Sequence, residues 1–185
     1  MVKIIGLVGT HASGKDTVAH YLVDSHGFFH VSTGDIVREE AMKKYGSIER
    51  PVLYKTANEL RQKYGYGALS IRALERFKQV KDQYKGLVVS GFRAFAEAQV
   101  IKDQGGIIIF TDAPTELRYK RLKQRARVEE GELSFAEFKD RESVENGGVD
   151  KAFDINAIKS SADFVLINDD IKEKFLRSVD QALGF

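Results

Sequence analysis

A short run near the beginning of the chain has the residue types and spacing of a phosphate-binding loop. Gly9 and Gly14 are separated by four residues, and Lys15 follows directly, which is the pattern G-x-x-x-x-G-K. Glycines let backbone N–H groups surround a phosphate, the next helix adds the partial positive charge of its N-terminus, and the lysine reaches the β- and γ-phosphates. The pattern predicts that a purine nucleoside triphosphate, ATP, binds at Gly9, His11, Ala12, Ser13, Gly14, Lys15, Asp16 and Thr17.

The residue after the lysine departs from the usual pattern. A Ser or Thr at that position normally ligates Mg²⁺, but here Asp16 follows Lys15, and Thr17 comes next. Asp16 either faces Mg²⁺ or its waters, or is an acidic residue favoured by the helix dipole in the first turn. His11 either donates to a phosphate oxygen or fills a variable loop position. We expect Mg²⁺ as the cofactor, with Asp16 as its candidate protein ligand.

The elements that must position this loop alternate between strands and helices. Short apolar runs predict strands at residues 2–8, 28–31, 86–90, 107–110 and 163–167. Periodic apolar residues predict helices at 14–26, 33–45, 52–64, 68–83, 94–103, 114–127, 134–146 and 171–183. Ser134, with Glu137 three residues on, is predicted to cap the helix at 134–146. Such alternation is typical of a mainly parallel sheet covered by helices on both faces. The predicted fold is a three-layer α/β/α domain with a five-stranded parallel sheet.

Three further segments resemble those of P-loop nucleoside monophosphate kinases. Residues 32–38 (STGDIVR) are similar to the Ser-Thr-Gly-Asp-x-x-Arg segment of adenylate kinases, and residues 91–93 (GFR) resemble their Asp-Gly-Phe-Pro-Arg segment. Residues 112–114 (DAP) resemble the stretch that leads into the lid, together with the following Arg118, Arg121 and Arg125. The match covers most of the chain and is closest to adenylate-kinase-related and dephospho-CoA-kinase-like P-loop proteins.

The resemblance implies a site for two nucleotides. It implies acceptor-binding residues Thr33, Asp35, Arg38 and Arg93, although Asp35 is alternatively a cap of its helix. It implies catalytic residues Lys15, Arg93, Arg121 and Arg125, and it adds Arg121 and Asn168 to the donor-binding residues. Arginine suits these positions because a guanidinium group binds two phosphate oxygens at once. Tyr64, Tyr66 and Phe92 either line a base site or belong to the core and its rim.

The resemblance also divides the single predicted domain into regions. The core would comprise residues 1–32, 84–118 and 160–185. Residues 33–83 are almost entirely helical and too long for a simple crossover, so they would form an acceptor-binding insert. Residues 119–148 would form a short lid.

Two positions differ from the kinase segments. Ser90 is at the position where many of these kinases have an Asp that orders Mg²⁺ waters. The proline that usually separates the Phe and Arg of this segment is missing, so Arg93 directly follows Phe92, and Ala94 comes next. The leading hypothesis is a phosphotransferase that moves the γ-phosphoryl group of ATP to a nucleoside monophosphate or a similar phosphorylated acceptor. The alternatives are a P-loop ATPase or nucleotide-operated switch without a small acceptor, and a module that only binds nucleotide.

Composition excludes several other classes of protein. The 185 residues include 29 Lys and Arg, 27 Asp and Glu and no Cys, so disulfides, thiolate metal sites and cysteine nucleophiles are absent. A formal net charge of +2 is too small to indicate bulk nucleic-acid binding. No run approaches the ~20 apolar residues of a membrane span. We expect a cytoplasmic monomer or homodimer that acts on small-molecule nucleotides.

Overall fold

A five-stranded parallel sheet forms the centre of the protein. The computed structural model describes residues 3–124, 133–147 and 154–185. The strands are β1 (Lys3–Gly9), β2 (Phe28–Ser32), β3 (Gly86–Ser90), β4 (Ile107–Asp112) and β5 (Phe164–Ile167). They lie in the order β2-β3-β1-β4-β5, and each neighbouring pair is parallel. The strand that leads into the phosphate loop, β1, is therefore the central one, and the ends of β3 and β4 lie on either side of it.

Helices cover both faces of this sheet. Those in the described residues are α1 (Lys15–His26), α2 (Thr33–Tyr45), α3 (Arg50–Tyr64), α4 (Ala68–Lys78), α5 (Phe95–Asp103), α6 (Thr115–Gln124), α7 (Phe135–Gly147), α8 (Ile155–Ser161) and α9 (Lys172–Leu183). The three-layer α/β/α fold predicted from the sequence is confirmed. None of the described helices is long and apolar enough to span a membrane.

The two faces of the sheet bury separate apolar clusters. Successive side chains of a strand point to opposite faces, so Ile5 and Leu7 of β1 pack against α1 and α9, while Val8 belongs to the cluster on the other face. That second cluster includes Ile36 of α2 and Ile101 of α5. Burying each such side chain stabilises the fold by roughly 1.5–3 kcal/mol. The strand ends and the loops between them are held by this packing.

The structure corrects the predicted extent of two elements. Helix α4 ends at Lys78, not near Gln83, and a short 3-10 turn occupies Lys81–Gln83. No Gly or Pro signals this stop in the sequence. Beyond it, the ring of Tyr84 packs 5.0 Å from that of Phe29 on β2, a contact between residues far apart in the chain. The fourth strand, predicted at residues 107–110, continues to Asp112, which is the register partner of Ile167.

Helix α8 was not predicted. Asp154 caps it by accepting a 2.8 Å hydrogen bond from the backbone N–H of Ala157, and Ile155 and Ile158 are buried. Seven residues are too few to give a clear helical period. By contrast, the expected cap of α7 is confirmed: Glu137 accepts from the backbone N–H of Ser134, and the Ser134 hydroxyl accepts from the backbone N–H of Glu137.

Candidate functional site

The phosphate loop joins the end of β1 to the start of α1. Gly14 has φ 98°, in the left-handed region that favours glycine, and Ala12 has φ 59°. Gly9 is required for a different reason. A Cβ there would lie 2.2 Å from the carbonyl oxygen of Thr111, so the backbones of loop and β4 are too close for any side chain between them.

Hydrogen bonds from β4 and from Asn168 hold the loop in place. Thr10 Oγ1 donates to Asp112 Oδ1 at 2.8 Å, and the hydroxyls of Ser13 and Thr111 are 2.7 Å apart. The Asn168 amide nitrogen donates to the Ser13 carbonyl at 2.8 Å, and Arg121 donates to the Asn168 amide oxygen at 3.1 Å. Both ends of the amide of Asn168, an expected donor-binding residue, are thus engaged, one with the loop at Ser13 and the other with Arg121.

Lys15 and Asp16 lie at the mouth of the loop. Lys15 Nζ is 3.2 Å from Asp16 Oδ1, and the side chain of Asp16 is 51% exposed. Both residues line the groove above the sheet, so the predicted phosphate-binding lysine and the candidate metal ligand are on the same side. Among the described residues, no group of three or more His, Asp or Glu side chains forms a metal-binding cluster.

Asp112 is a second acidic group beside the loop. Lys159 donates to its Oδ2 at 2.6 Å, while its Oδ1 accepts from Thr10 and from the backbone N–H of Ala113. Burial by itself would raise the pKa of the Asp112 carboxyl, but these hydrogen bonds outweigh it and the pKa lies below its ordinary value. Asp112 therefore remains ionised and anchors the loop to β4 and α8.

Three cavities follow one another along the carboxyl edge of the sheet. The donor-side cavity, of about 310 Å³, lies where α1 and α9 approach α6, and Gly14, Thr17, Arg121 and Asn168 line it. The phosphate groove, of about 490 Å³, runs over the loop and the ends of β2 and β3. The insert cavity, of about 370 Å³, lies between α2, α3 and α7. His11, Gly34, Arg38, Gly91 and Arg93 line both the phosphate groove and the insert cavity.

Of the expected acceptor residues, Arg38 and Arg93 lie at this shared boundary, while Thr33 and Asp35 each line one of the two cavities. Thr33 is buried and lines the insert cavity. Asp35 pairs with Arg38 one helical turn away, and no side chain caps the N-terminus of α2, so Asp35 is not the helix cap that was considered. Arg93 follows β3 in the loop before α5 and is only partly exposed. The structure thus gathers Thr33, Arg38 and Arg93 around one opening.

The three arginines of the stretch that leads into the expected lid have different environments. Arg118 is 4% exposed; it donates to the Ala113 carbonyl at 2.7 Å and forms an ion pair with Glu142 of α7. It therefore ties α6 to α7, and it also donates to the His11 carbonyl of the phosphate loop at 3.4 Å. Arg121 lines the donor-side cavity. Arg125 lies outside the described residues.

The aromatic residues considered for a base site do not line a common cavity; of the three, Phe92 alone is among the residues of the described cavities, in the phosphate groove. Tyr64 and Tyr66 are about half exposed, at 51% and 48%, and neither lines the described cavities near the loop. Phe92 is 1% exposed and packs in the core. The apolar walls of the insert cavity come instead from residues that the sequence did not single out: Val37, Leu53, Ala57, Leu69, Leu122, Leu133 and Phe138.

Glu97 is a site residue that the sequence analysis missed. It is wholly buried, and its Oε2 accepts the backbone N–H groups of Arg93 and Ala94, both at 3.0 Å. Its Oε1 is 4.0 Å from Arg61 of α3. Burial raises the pKa of the Glu97 carboxyl, while Arg61 and the two N–H groups oppose that shift. The sequence does contain one indication of this role. Glu97 is three residues after Ala94, at the start of α5, where a glutamate side chain commonly accepts backbone N–H groups.

Ser90 and His30 form a second contact that the sequence did not indicate. Ser90 ends β3, is 4% exposed and lies with its Oγ 2.8 Å from His30 Nε2 on β2. Both side chains line the phosphate groove. Burial, and next the charge of His20, lower the pKa of His30. The position expected to hold a carboxylate thus holds a hydroxyl paired with an imidazole.

A phosphate loop after the central strand of a parallel sheet in the order 2-3-1-4-5 defines a P-loop, kinase-like nucleotide-binding fold. Comparison with known proteins agrees. The AAA domain profile matches residues 5–145, and an UPF0200 protein of Pyrococcus horikoshii is 31% identical over 98% of the chain and 96% of its own length. The chain belongs to the UPF0200 family of P-loop proteins.

Other comparisons identify a further relative and several solved structures of similar fold. An UPF0200/UPF0201 protein of Archaeoglobus fulgidus is 32% identical over 98% of the chain, which spans about half (55%) of that protein. Among solved structures, TT1252 of Thermus thermophilus aligns over 98% of this chain and 96% of its own with a TM-score of 0.64 at 21% identity. Shikimate kinase of Bacteroides thetaiotaomicron aligns over 99% of both chains (TM-score 0.59, 13% identity). Dephospho-CoA kinase of Campylobacter jejuni aligns over 98% of this chain and 95% of its own (TM-score 0.53, 19% identity). These likenesses establish the fold.

The close approach of Gly9 to β4 predicts the effect of adding one methyl group. Gly9→Ala places a Cβ 2.2 Å from both the carbonyl oxygen and Oγ1 of Thr111, so the loop must move. We expect nucleotide affinity, measured by calorimetry, to fall at least about tenfold. The control is Gly46→Ala, which strains a left-handed position with nothing within 4 Å; it lowers thermal stability but leaves affinity unchanged. Equal nucleotide affinity of Gly9→Ala and wild type would contradict this account of the loop.

The lowered pKa of Asp112 predicts a pH-dependent stability. A carboxyl whose pKa is depressed on folding stabilises the protein above its unfolded-state pKa of about 3.9, and this contribution is lost as the pH falls through the lower folded-state value. Asp112→Asn should therefore lower the free energy of unfolding by about 1 kcal/mol at pH 7 and by progressively less below pH 4. Chemical unfolding of both proteins across this range tests it, with Asp170→Asn at an exposed pair as the control. A difference that stays constant down to pH 2 refutes the assignment.

Proposed function

We propose that this protein transfers the γ-phosphoryl group of ATP to a nucleoside monophosphate or a similar small phosphorylated acceptor. The observation that carries the proposal is the shared boundary of the phosphate groove and the insert cavity, which Arg38 and Arg93 line from both sides. A donor phosphate held on the loop and an acceptor in the insert cavity would meet there. A protein that only hydrolyses or senses nucleotide needs no second cavity open to the γ-phosphate.

The charges along this boundary suit phosphoryl transfer. The transferred group needs alignment with its acceptor and positive charge around its equatorial oxygens, and little covalent chemistry from the protein. Lys15 would hold the donor phosphates, Arg38 the acceptor phosphate, and Arg93 both. Arg121, on the wall of the donor-side cavity, would lie beside the donor nucleotide, and Arg125 would follow it on the lid.

Mg²⁺ would neutralise charge on the β- and γ-phosphates of the bound donor. The groove fits an ion held mainly by phosphates and water, because it offers single oxygen groups such as Asp16 and Ser90 and no dense acidic cluster among the described residues. Mg²⁺ commonly keeps several waters in such sites. Asp16 remains the candidate protein ligand for it.

Similarity of fold and the net charge support the proposed type of acceptor and partner. The solved structures of similar fold include a shikimate kinase and a dephospho-CoA kinase, which supports a small-molecule acceptor. A formal net charge of +2 gives no reason to expect nucleic acid as a partner. We propose a cytoplasmic enzyme that is a monomer or a homodimer. Its acceptor is to be identified by assay.

A coupled assay of ADP release tests the proposal. ATP and Mg²⁺ are supplied with a panel of nucleoside monophosphates and dephospho-CoA, one at a time. We expect ADP release that depends on an acceptor and is abolished by Lys15→Ala, because the lysine contacts the β- and γ-phosphates. ADP release at the same rate without any acceptor would favour the alternative, a P-loop ATPase, for which the missing carboxylate at Ser90 is the specific motivation. Nucleotide binding with no ADP release would favour a binding module.

Arg93→Ala separates binding from turnover. If Arg93 bridges donor and acceptor, its charge acts mainly in the transition state, so kcat should fall about 100-fold or more while the KM for ATP changes less than about threefold. Steady-state kinetics with the best acceptor measure both. Arg76→Ala is the matched control, because Arg76 pairs with Glu39 on the insert surface and lines none of the three cavities. Equal losses in kcat and in ATP affinity would contradict the bridging role.

A further inference from the structure

The phosphate groove lacks the usual pair of protein contacts to nucleotide-bound Mg²⁺. In P-loop proteins these are a hydroxyl directly after the lysine and a carboxylate at a strand end. Here the first position is Asp16, whose carboxylate is half exposed and 3.2 Å from Lys15 Nζ. Of the two strands next to β1, β4 ends in Asp112, which is bonded to Thr10 and Lys159 and does not line the groove. The other strand, β3, ends in Ser90. A bound ion would therefore meet a hydroxyl where a carboxylate is expected.

Ser90 is well placed to take part in such a contact. It is the register partner of Leu7 in β1. Leu7 is two residues before Gly9, where the loop begins. It is almost fully buried, yet its side chain forms part of the groove wall together with Lys15 and Asp16. The groove at this point is close to the loop and to the phosphates that the loop would hold.

His30 gives the Ser90 hydroxyl a direction. A serine hydroxyl has one proton and two lone pairs, and the proton rotates freely unless an acceptor fixes it. His30 Nε2 lies 2.8 Å from Ser90 Oγ. In the tautomer with its proton on Nδ1, the imidazole accepts the serine proton at Nε2, and the lone pairs of Oγ are left for a donor in the groove. A water bound to Mg²⁺ is such a donor.

We infer that the Ser90 hydroxyl, oriented by His30, accepts a hydrogen bond from a water of the nucleotide-bound Mg²⁺ and so replaces the missing carboxylate. This inference rests on the proposed binding of a nucleoside triphosphate at the loop, but it does not require phosphoryl transfer. A neutral hydroxyl attracts the hydrated ion less than a carboxylate does, so metal should bind this complex through the phosphates first. Ser90 and His30 then act as one unit.

The test measures metal binding directly. Mn²⁺ replaces Mg²⁺, and electron paramagnetic resonance gives its affinity for the protein–ADP complex, while calorimetry gives the affinity for ADP without metal. Ser90→Ala should weaken Mn²⁺ binding about threefold to tenfold, the size of one hydrogen bond, and leave metal-free ADP binding unchanged. Ser32→Ala is the matched control, since Ser32 ends β2 as the register partner of Ser90 and lines the same groove, one strand further from β1. It should change neither affinity.

A second pair of variants tests the role of the imidazole. His30→Phe keeps a ring but removes the acceptor for the serine proton, so we expect a loss of Mn²⁺ affinity similar to that of Ser90→Ala. The double variant should lose no more than either single variant, because the two residues act together. His20→Phe is the control, because His20 is exposed on α1 and lines the same groove. It should leave the Mn²⁺ affinity unchanged.

The outcomes separate this inference from the proposed function. Unchanged Mn²⁺ affinity in both Ser90→Ala and His30→Phe, with ADP still bound, overturns the inference and leaves the proposed function standing. Additive losses in the double variant overturn the role of His30 in orienting Ser90. Failure of the wild-type protein to bind any adenine nucleotide overturns the inference and the proposed function together. Non-additive losses specific to Ser90 and His30 support the inference even if no acceptor is ever found.

Discussion

The hold of β4 on the phosphate loop is the constraint on which the rest of the site depends. Gly9 passes so close to Thr111 that no side chain fits between them, and Thr10 and Ser13 are hydrogen-bonded to the last two residues of β4. Backbone N–H groups that are already oriented bind a phosphate without the entropy cost of ordering a free loop. The groove, the donor-side cavity and the insert cavity are all arranged around this fixed point.

A buried carboxylate sets the position of the arginine between the two larger cavities. Ionised or partly ionised groups are costly to bury unless they are hydrogen-bonded, and Glu97 meets this requirement by accepting two N–H groups from the loop that carries Arg93. The other oxygen of Glu97 faces Arg61 on the insert. The backbone of Arg93 is thus fixed by α5, and the insert contacts α5 through the buried side chains of Arg61 and Glu97.

Local sequence patterns were sufficient where the physical cause is itself local. The glycine spacing of the loop, the apolar runs of the strands and the Ser134–Glu137 cap all depend on residues within a few positions of one another. They failed where the cause lies elsewhere. Helix α8 is short and owes its stability to Ile155 and Ile158 packed in the core, and the stop of α4 has no glycine or proline to announce it.

The sequence by itself therefore determined that a phosphate loop lies between a strand and a helix of a parallel α/β domain, and which arginines follow it. Only the tertiary structure decided which contacts individual side chains make. Arg118 links two helices, Asn168 supports the loop, and Ser90 is hydrogen-bonded to His30. The reason is separation along the chain. Asn168 contacts the carbonyl of Ser13, which is 155 positions away in the chain. Only the packing of the fold brings such residues together, so a local pattern of residue types does not predict their contact.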